Sequence, residues 1–271
     1  MIKVGSSGRL ANHLFQYAFA LTAAQKLNTT FEYDTSLLEK YFLVKKKNKL
    51  FTKIKKRLIP ESKWNEIHVN NLSEPKTIIA NLKNEILYSG YFQSEDFFNE
   101  YQGLVRSAFS VKPEILKNFK EKYKNILSTD YSCIAIRLSD YKNWIVEDGL
   151  YVSPLLPFNF FEAGINKLES KENLVFISDE IETVKNIFSL KYPKAYFNEI
   201  CSDPIEDFLL LSHAKNSVIS NSSFYWWACW LNSNKEKKVI APKYWLGFRK
   251  NVEYPTSIIP KEWIQLQVTE N

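Results

Sequence analysis

The chain of 271 residues is 45% hydrophobic and 15% aromatic, a composition that predicts a large folded core and excludes a disordered protein. No run of about 18 apolar residues occurs, which argues against a membrane-spanning helix, and the N-terminus lacks the apolar segment of a secretory signal. The three cysteines, Cys133, Cys201 and Cys229, have no metal-binding spacing. We therefore expect a globular cytoplasmic protein with reduced cysteines.

The positive charge is concentrated near the N-terminus. Residues 1–60 hold 12 Lys and Arg against 3 Asp and Glu, and most of the excess lies in residues 45–58. One interpretation is a solvated surface segment. The alternative is an amphipathic basic patch that contacts anionic lipid, which would place the protein peripherally at the inner face of the membrane. No nucleic-acid-binding motif accompanies the patch, so we do not expect a nucleic-acid partner.

Strands and helices alternate along the first half of the chain. The predicted strands are 2–4, 30–33 and 86–88, and the predicted helices are 12–27, 95–101 and 112–126. Residues 36–82 show little clear hydrophobic periodicity.

The second half alternates more clearly. The predicted strands are 133–137, 174–177, 195–197, 217–220 and 239–241, and the predicted helices are 158–168, 181–189, 204–214 and one starting near residue 223. Such alternation predicts an α/β fold in which parallel strands carry helices on both faces.

Polar residues follow three of these predicted strands. They are Arg137 and Asp140 after the first, Asp179 and Glu180 after the second, and Asn221, Ser222 and Ser223 after the third. Ligands of open parallel sheets bind beyond the carboxyl ends of the strands, and this set of groups suits a nucleotide diphosphate. The chain lacks a Gly-x-Gly-x-x-Gly loop, a Walker lysine loop and an Asp-x-Asp pair. These absences argue against a dinucleotide cofactor, an ATPase and a metal-bridged diphosphate.

The segment 218–231 is a short apolar strand, a polar corner and an aromatic helix. The small polar residues of the corner can cap the helix through their side chains. Alternatively, they leave the first N–H groups of the helix open to an anion. The residues of this segment alone do not decide between the two.

Several motifs follow one another along the chain: Gly8–Tyr17, Gly90–Ser94, Ile134–Tyr141, Phe176–Glu180 and Asn221–Trp227 with Val239–Pro242. In type and order they resemble the motifs of the α-1,2-fucosyltransferases of glycosyltransferase family 11. The resemblance implies a GT-B-like fold with two Rossmann-like lobes of parallel sheets flanked by helices. We assign residues 1–128 to an acceptor-side lobe and residues 129–271 to a nucleotide-sugar-binding lobe, with a C-terminal tail that can pack back on the first lobe.

The resemblance also implies a metal-independent, inverting transferase without a cofactor, whose donor substrate is GDP-L-fucose. The acceptor would be O2 of a galactoside in an oligosaccharide or lipid-linked glycan of a surface polysaccharide. Two alternatives stay open: a different GDP-6-deoxyhexose as donor, or a catalytically silent module that binds a GDP-sugar or a glycan.

The resemblance places the donor on a defined set of residues. Arg137 would hold the diphosphate. The other predicted donor-binding residues are Gly8, Asn12, Asp179, Asp207, Asn221, Ser222, Ser223 and Phe224. Among them, Asp207 would accept from guanine, unless it is an ordinary surface carboxylate. Asp179 and Glu180 can equally be the N-cap and first-turn acid of the next helix.

The chain departs from the family pattern at the arginine motif. Ala135 stands at the histidine position of the family, and Leu138 replaces the second arginine. Neutralisation of the phosphate is therefore weaker unless Arg9 or Arg249 reaches the site.

No general base is assigned uniquely. His13 is a candidate because its ordinary pKa suits proton transfer, although it can equally be a hydrogen-bonding replacement for the glutamine of the family. The carboxylate candidates are Asp140, Glu147 and Asp148. We interpret the two other histidines, His68 and His213, as structural.

Overall fold

The computed structural model describes residues 1–44, 64–199 and 203–270. The basic segment 45–58 and Cys201, both interpreted above from the sequence, lie outside the described residues. The chain divides into two compact units, Met1–Ile115 and Leu116–Asn271. In the parts of the chain that are described, no helix has the length and apolar character needed to cross a membrane.

The first unit contains a parallel sheet of four strands in the order β2-β1-β4-β3. The strands are β1 (Ile2–Val4), β2 (Phe31–Glu32), β3 (Asn65–Val69) and β4 (Ile86–Gly90). The α-helices are α1 (Leu10–Lys26), α2 (Pro75–Ala80), α3 (Gln102–Ala108) and the first residues of α4 (Pro113–Lys122). Helix α1 is buried over most of its length because it is rich in alanine and aromatic residues, which pack at close range. Its Phe19 stacks on Phe92 at a centroid distance of 3.9 Å.

The second unit contains a parallel sheet of six strands in the order β10-β9-β8-β5-β6-β7. The strands are β5 (Ser132–Ile136), β6 (Leu174–Ser178), β7 (Tyr196–Phe197), β8 (Asn216–Ile219), β9 (Lys238–Pro242) and β10 (Ile264–Leu266). The helices are α5 (Lys124–Leu127), α6 (Phe158–Asn166), α7 (Ile181–Phe188), α8 (Ile205–Ser212) and α9 (Ser223–Leu231).

The central strands of the second unit explain why its sheet is parallel. Every residue of β5 and β6 is buried, so both faces of the sheet are covered, as continuous apolar strands require. Helix α6 approaches β8 closely at Gly164, where a Cβ atom would lie 2.5 Å from Val218 Cγ1. The C-terminal tail joins this same core through Val268, and Asn159 Nδ2 donates to the Thr269 carbonyl over 3.2 Å.

The predicted fold class is confirmed: both units are parallel sheets with flanking helices. The predicted helix 95–101 was wrong in type, because the structure has two short 3-10 turns there, Glu95–Phe97 and Asn99–Tyr101. Strands β3 and β10 and helix α2 were not predicted. Both strands lie at sheet edges and are only partly buried, so their sequences lack a strong apolar pattern.

Candidate functional site

The carboxyl ends of β8, β5 and β6 lie side by side in the second unit. Ala135 of β5 is in register with Ile219 of β8 and Ile177 of β6, so the residues that follow these strands meet. The Arg137 amide donates to Ser220 Oγ over 2.9 Å, and the Leu138 amide donates to Asp179 Oδ1 over 2.9 Å. The structure therefore brings together the three polar strand ends that the sequence predicted.

Arg137 is held at this edge by two carboxylates. Its Nε and Nη2 atoms each lie 2.8 Å from Asp140 Oδ1, and Nε lies 3.2 Å from Asp179 Oδ2. Burial lowers the pKa of the guanidinium, but the charges of Asp179 and Asp140 outweigh it and raise the pKa above its ordinary value. These contacts with the two carboxylates use Nε and Nη2, and none of them uses Nη1. The side chain is thus charged, oriented and still able to donate.

Asp179 organises the turn after β5. Its carboxylate accepts from the amides of Leu138 and Ser139, at 2.9 and 3.1 Å, and also from the Ser139 hydroxyl. The N-cap residue of α7 is Glu180, which makes no side-chain cap and accepts instead from Lys142 Nζ at 2.5 Å. The N-cap alternative for Asp179 is therefore wrong, and its contact with a donor stays a prediction.

The N-terminus of helix α9 faces this edge without a side-chain cap. Its N-cap residue, Ser222, makes no capping hydrogen bond with its side chain, and its amide donates to the Ser220 carbonyl over 2.7 Å. The first bond of the helix runs from the Trp226 amide to the Ser222 carbonyl. In the described part of the chain, the amides of Ser223, Phe224 and Tyr225 have no acceptor. Of the two sequence interpretations, the open N-terminus is the one realised.

Aromatic packing fixes the direction of α9. Trp226 and Trp227 are fully buried, and Trp226 Nε1 donates to the Ile258 carbonyl over 2.7 Å. Trp230 stacks on Trp226 at a centroid distance of 6.0 Å. A helix anchored in this way keeps its open amides in place.

Asn221 is a buried anchor of the same corner. Only 1% of the residue is exposed, and its Nδ2 donates to the Pro154 carbonyl over 3.0 Å. The Tyr141 hydroxyl donates to the backbone carbonyl of Asn221 over 3.0 Å. Among the described residues, Oδ1 of Asn221 has no hydrogen-bonding partner. The side chain ties neighbouring loops together, and its direct contact with a donor stays a prediction.

Asp207 lies on α8 in a partly buried position. Burial raises the pKa of its carboxyl to about 6, although the hydrogen bond from Asn198 Nδ2, of 2.6 Å, acts in the opposite direction. Asn198 is itself buried and accepts from the Tyr123 hydroxyl over 2.9 Å. The carboxylate is therefore positioned by its neighbours and is unlike a fully solvated surface acid.

The remaining candidates of the second unit are those for a second cation and for a general base. Arg249 donates to the carbonyls of Ser153 and Leu155 and pairs with Glu270, so it braces a loop instead of replacing the second arginine. Leu138, at the position of that arginine, is 3% exposed and belongs to the apolar core. Glu147 and Asp148 are exposed.

Two sequence motifs meet in the first unit at the ends of β1 and β4. The link is Gln16 of α1, which is fully buried and donates from Nε2 to Ser7 Oγ and to the Gly90 carbonyl, each over 3.0 Å. Asn12 Oδ1 accepts from Gln93 Nε2 over 3.0 Å. The sequence analysis did not identify Gln16 or Asn198. Gln16 could have been predicted, because it is a lone glutamine in an apolar helix, whereas no sequence pattern marks Asn198.

The glycine loop itself contains Gly8 and leads to His13. Gly8 has a φ of +81°, and an added Cβ atom would collide with the Asn12 side chain. Arg9 is an exposed N-cap residue of α1. His13 is 6% exposed, and its ring meets that of Tyr33 edge-on at a centroid distance of 5.9 Å.

The histidines differ in their environments. Burial lowers the pKa of His13, and the Asp34 charge offsets part of this shift, so the imidazole is neutral at pH 7. Its catalytic role stays a prediction. His213 Nδ1 donates to the Leu209 carbonyl over 2.9 Å, and His68 Nδ1 lies 3.0 Å from Ser89 Oγ. Within the described residues, no group of three or more His, Cys, Asp or Glu side chains is arranged to hold a metal ion.

Comparison with known proteins gives relatives over most of the chain. The O-antigen biosynthesis glycosyltransferase WbnK of Escherichia coli is 26% identical, over 72% of this chain and 64% of that protein. An alpha-1,2-colitosyltransferase of Escherichia coli is 26% identical, over 96% of this chain and 97% of that protein. The chain thus spans less than two thirds of the first relative and nearly all of the second.

Solved fucosyltransferases share the fold at low sequence identity. NodZ alpha-1,6-fucosyltransferase soaked with GDP-fucose has a TM-score of 0.53 at 10% identity, covering 85% of this chain and 92% of that chain. POFUT1 in complex with GDP-fucose has a TM-score of 0.51 at 12% identity, covering 88% and 96%. An Arabidopsis thaliana FUT1 mutant in complex with GDP has a TM-score of 0.52 at 12% identity, covering 89% and 70%. These similarities show a GT-B-like fold.

The motifs identified in the sequence lie between Gly8 and Pro242. The model for glycosyl transferase family 11 matches residues 1–267. The resemblance noted from the motifs is therefore confirmed, and this protein belongs to glycosyl transferase family 11.

Proposed function

We propose that the protein transfers L-fucose from GDP-β-L-fucose to a hydroxyl group, O2 of a galactoside, with inversion at the anomeric carbon. Membership of glycosyl transferase family 11 supports a glycosyl transfer reaction. The name of the WbnK relative supports a role in surface-polysaccharide synthesis. The structures of POFUT1 in complex with GDP-fucose and of NodZ soaked with GDP-fucose support the donor class.

The observation that carries the proposal is the pairing of Arg137 with the open N-terminus of α9. When the sugar–phosphate bond breaks, its electron pair moves to the β-phosphate and negative charge develops there. A charged guanidinium and free amides that are already in place stabilise this charge without reorganisation. Suitable donors are Nη1 of Arg137, which the contacts with Asp140 and Asp179 do not use, and the amides of Ser223 and Phe224. We infer that these groups make a divalent metal ion unnecessary.

Asp207 is the proposed reader of the base. Guanine presents N1–H and an amino group side by side, and one carboxylate can accept from both. The bond from Asn198 fixes one oxygen of this carboxylate. Because the unliganded pKa is about 6, the side chain is mostly ionised at pH 7, and two guanine donors would stabilise that form further.

The reaction also requires a base for the acceptor. The acceptor oxygen attacks the anomeric carbon, the bond to the β-phosphate oxygen breaks, and the hydroxyl proton passes to the base. Asp140, His13, Glu147 and Asp148 are the candidates from the sequence. The diphosphate would compete with Asp140 for Arg137, and this would free the Asp140 carboxylate to accept the hydroxyl proton.

A different donor is the first alternative. Because one relative is named a colitosyltransferase, another GDP-6-deoxyhexose is a reasonable candidate. A silent GDP-sugar-binding or glycan-binding module is the second alternative. The apolar residues Ala135 and Leu138 favour it, since neither can supply a second cation. Cytoplasmic location, a lipid-linked acceptor and membrane contact through residues 45–58 are proposals that rest on the sequence.

The deciding experiment combines turnover with a matched pair of variants. The purified protein is incubated with GDP-fucose and a galactoside panel, with and without EDTA, while GDP release and product mass are measured. We expect fucosylated product that is insensitive to EDTA. Arg137→Ala should lower turnover by about 100- to 1,000-fold. Lys238→Ala, which removes an exposed cation, should have no effect.

Three results would contradict the proposal. They are failure of GDP to bind, a requirement for manganese or magnesium, and unchanged turnover in a folded Arg137→Ala variant. GDP binding without any sugar transfer would instead favour the silent module. Product from another GDP-6-deoxyhexose, but not from GDP-fucose, would correct the donor only.

A further inference from the structure

A hairpin at residues 140–153 leaves the sheet directly after Arg137. Its two arms are joined by a bridge between Val146 and Val152, with the Val146 amide donating to the Val152 carbonyl over 2.8 Å. Both valines are buried, at 3% and 8% exposure. The turn contains Gly149, with a φ of +82°. The 140–153 hairpin is thus a defined structure with its own buried contact.

Large apolar side chains of this hairpin point to solvent. Tyr151 is 75% exposed, Trp144 is 40% exposed and Ile145 is 48% exposed. Isolated apolar residues on a surface need no explanation, but here three lie within eight consecutive positions. Tyr151 also has a φ of +51°, a left-handed conformation that is unfavourable for a bulky residue. Such conformations persist where the surrounding contacts impose them, often at ligand sites.

The hairpin is fastened to the edge that carries the candidate donor site. The Trp144 ring lies 5.3 Å from the Tyr141 ring, and the Tyr141 hydroxyl is bonded to the carbonyl of Asn221, just before the open helix. Lys142 Nζ lies 2.5 Å from Glu180 Oε2, after β6. The Tyr254 hydroxyl donates to Asp148. The Trp144 ring is therefore held beside the corner that precedes the open helix, and Tyr151 belongs to the same hairpin, next to Val152 of the buried bridge.

We propose that Trp144 and Tyr151 form a platform for a sugar ring of the acceptor glycan. A pyranose has an apolar face of C–H groups that buries well against a flat aromatic ring, while its hydroxyls need acceptors at the rim. Glu147, exposed on the same hairpin, supplies a carboxylate for them. The inference rests on the proposed function, because it assigns part of the acceptor site of that reaction to the second unit, in addition to the acceptor-side lobe 1–128 expected from the sequence.

Charge distinguishes this partner from a membrane surface. Residues 143–152 contain two carboxylates, Glu147 and Asp148, and no lysine or arginine. An anionic leaflet attracts basic segments and repels acidic ones. A neutral polyhydroxylated ligand meets no such repulsion and can use the carboxylates as hydrogen-bond acceptors.

The test separates acceptor binding from donor binding. Initial rates of GDP release are measured with GDP-fucose and methyl glycosides of galactose, glucose and N-acetylglucosamine. We expect Trp144→Ala and Tyr151→Ala each to raise the KM for the best glycoside by about tenfold or more, the effect of losing a central aromatic contact. The GDP Kd, measured by calorimetry, should stay within about twofold because the change lies outside the donor contacts. Trp144→Phe and Tyr151→Phe keep a ring and should restore most of the affinity.

A matched control and a vesicle assay complete the design. Leu190→Ala removes a side chain that is 93% exposed just after α7, and it should leave both constants unchanged. Unchanged glycoside KM in folded Ala variants would overturn the platform. If the Ala variants no longer sediment with phosphatidylglycerol vesicles but keep the wild-type KM, the sugar platform is overturned and membrane contact is favoured instead. If the wild type binds GDP but no glycoside accelerates GDP release, the sugar platform is overturned while the donor site stands; if GDP does not bind, both fail.

Discussion

The ionisation of Asp207 should control how tightly the protein binds GDP. Only the ionised carboxylate can accept from both N1–H and the amino group of guanine. With a pKa of about 6 in the unliganded protein, roughly ten in eleven molecules are ionised at pH 7 and roughly one in eleven at pH 5. The Kd for GDP should therefore rise about tenfold between pH 7 and pH 5 from this residue alone.

The assay is calorimetric titration of GDP at pH 5, 6, 7 and 8, on the wild type and on Asp207→Asn. The β-phosphate of GDP titrates in the same range, so the informative quantity is the ratio of the two Kd values. The amide can accept one guanine bond and places its own N–H groups against the other. We expect a loss of one charge-assisted bond, about 1.5–3 kcal/mol at pH 7, or roughly 10- to 150-fold in Kd.

The ratio should shrink towards one as the pH falls below 6, because the wild-type carboxylate is then neutral like the amide. ADP serves as the matched ligand, since it has the same phosphates and lacks the guanine donor pair. Equal Kd values for the two proteins at pH 7, or the same pH dependence in both, would refute the assignment of Asp207 to guanine.

The same pKa has a consequence for stability. Since the folded-state pKa of Asp207 lies above the unfolded value, its favourable contribution is complete below the unfolded pKa of 3.8 and is lost as the pH rises through about 6. Ionisation of Asp207 at pH 7 then lowers the free energy of unfolding by about 3 kcal/mol. Asp207→Asn should raise the melting temperature at pH 7, and the gain should vanish near pH 4. Differential scanning calorimetry at both pH values checks this.

Two further predictions concern backbone geometry and the turn after β5. Gly8→Ala should destabilise the fold by about 1–3 kcal/mol in urea titration, since φ is +81° and the added Cβ atom meets Asn12. The control is Gly149→Ala, which has a φ of +82° but no neighbour within 4 Å and should show only the backbone penalty. Equal losses of stability in the two variants would contradict the clash at Gly8. Asp179→Asn should cost roughly 1.5–3 kcal/mol, because charged acceptors of the Leu138 and Ser139 amides are lost, and it should weaken GDP binding through a misplaced Arg137. Wild-type stability and GDP affinity in this variant would rule out its positioning role.

The local hydrophobic pattern of the sequence was sufficient to predict most of the architecture. Alternating apolar strands and helices indicated two parallel sheets, because a parallel strand must return through a helix and is buried on both faces. Strand ends followed by Arg137, Asp179 and Ser222 indicated one polar edge, because neighbouring parallel strands end at the same side of a sheet. Edge strands such as β3 escaped prediction since partial burial leaves a weak pattern.

The pairing of side chains could not be read in the same way. Arg137 meets Ser220 across 83 positions of sequence, and Gln16 meets Gly90 across 74. Whether Leu138 faces the core, whether Arg249 reaches the site and whether Ser222 caps its helix all depend on such distant neighbours. By itself, the sequence determined the fold class, the family and the sheet edge where three polar strand ends meet, because these follow from local periodicity and motif order. Only the tertiary structure decided which groups are occupied and which remain open to a ligand, because hydrogen bonds and burial between distant segments form when the chain has folded.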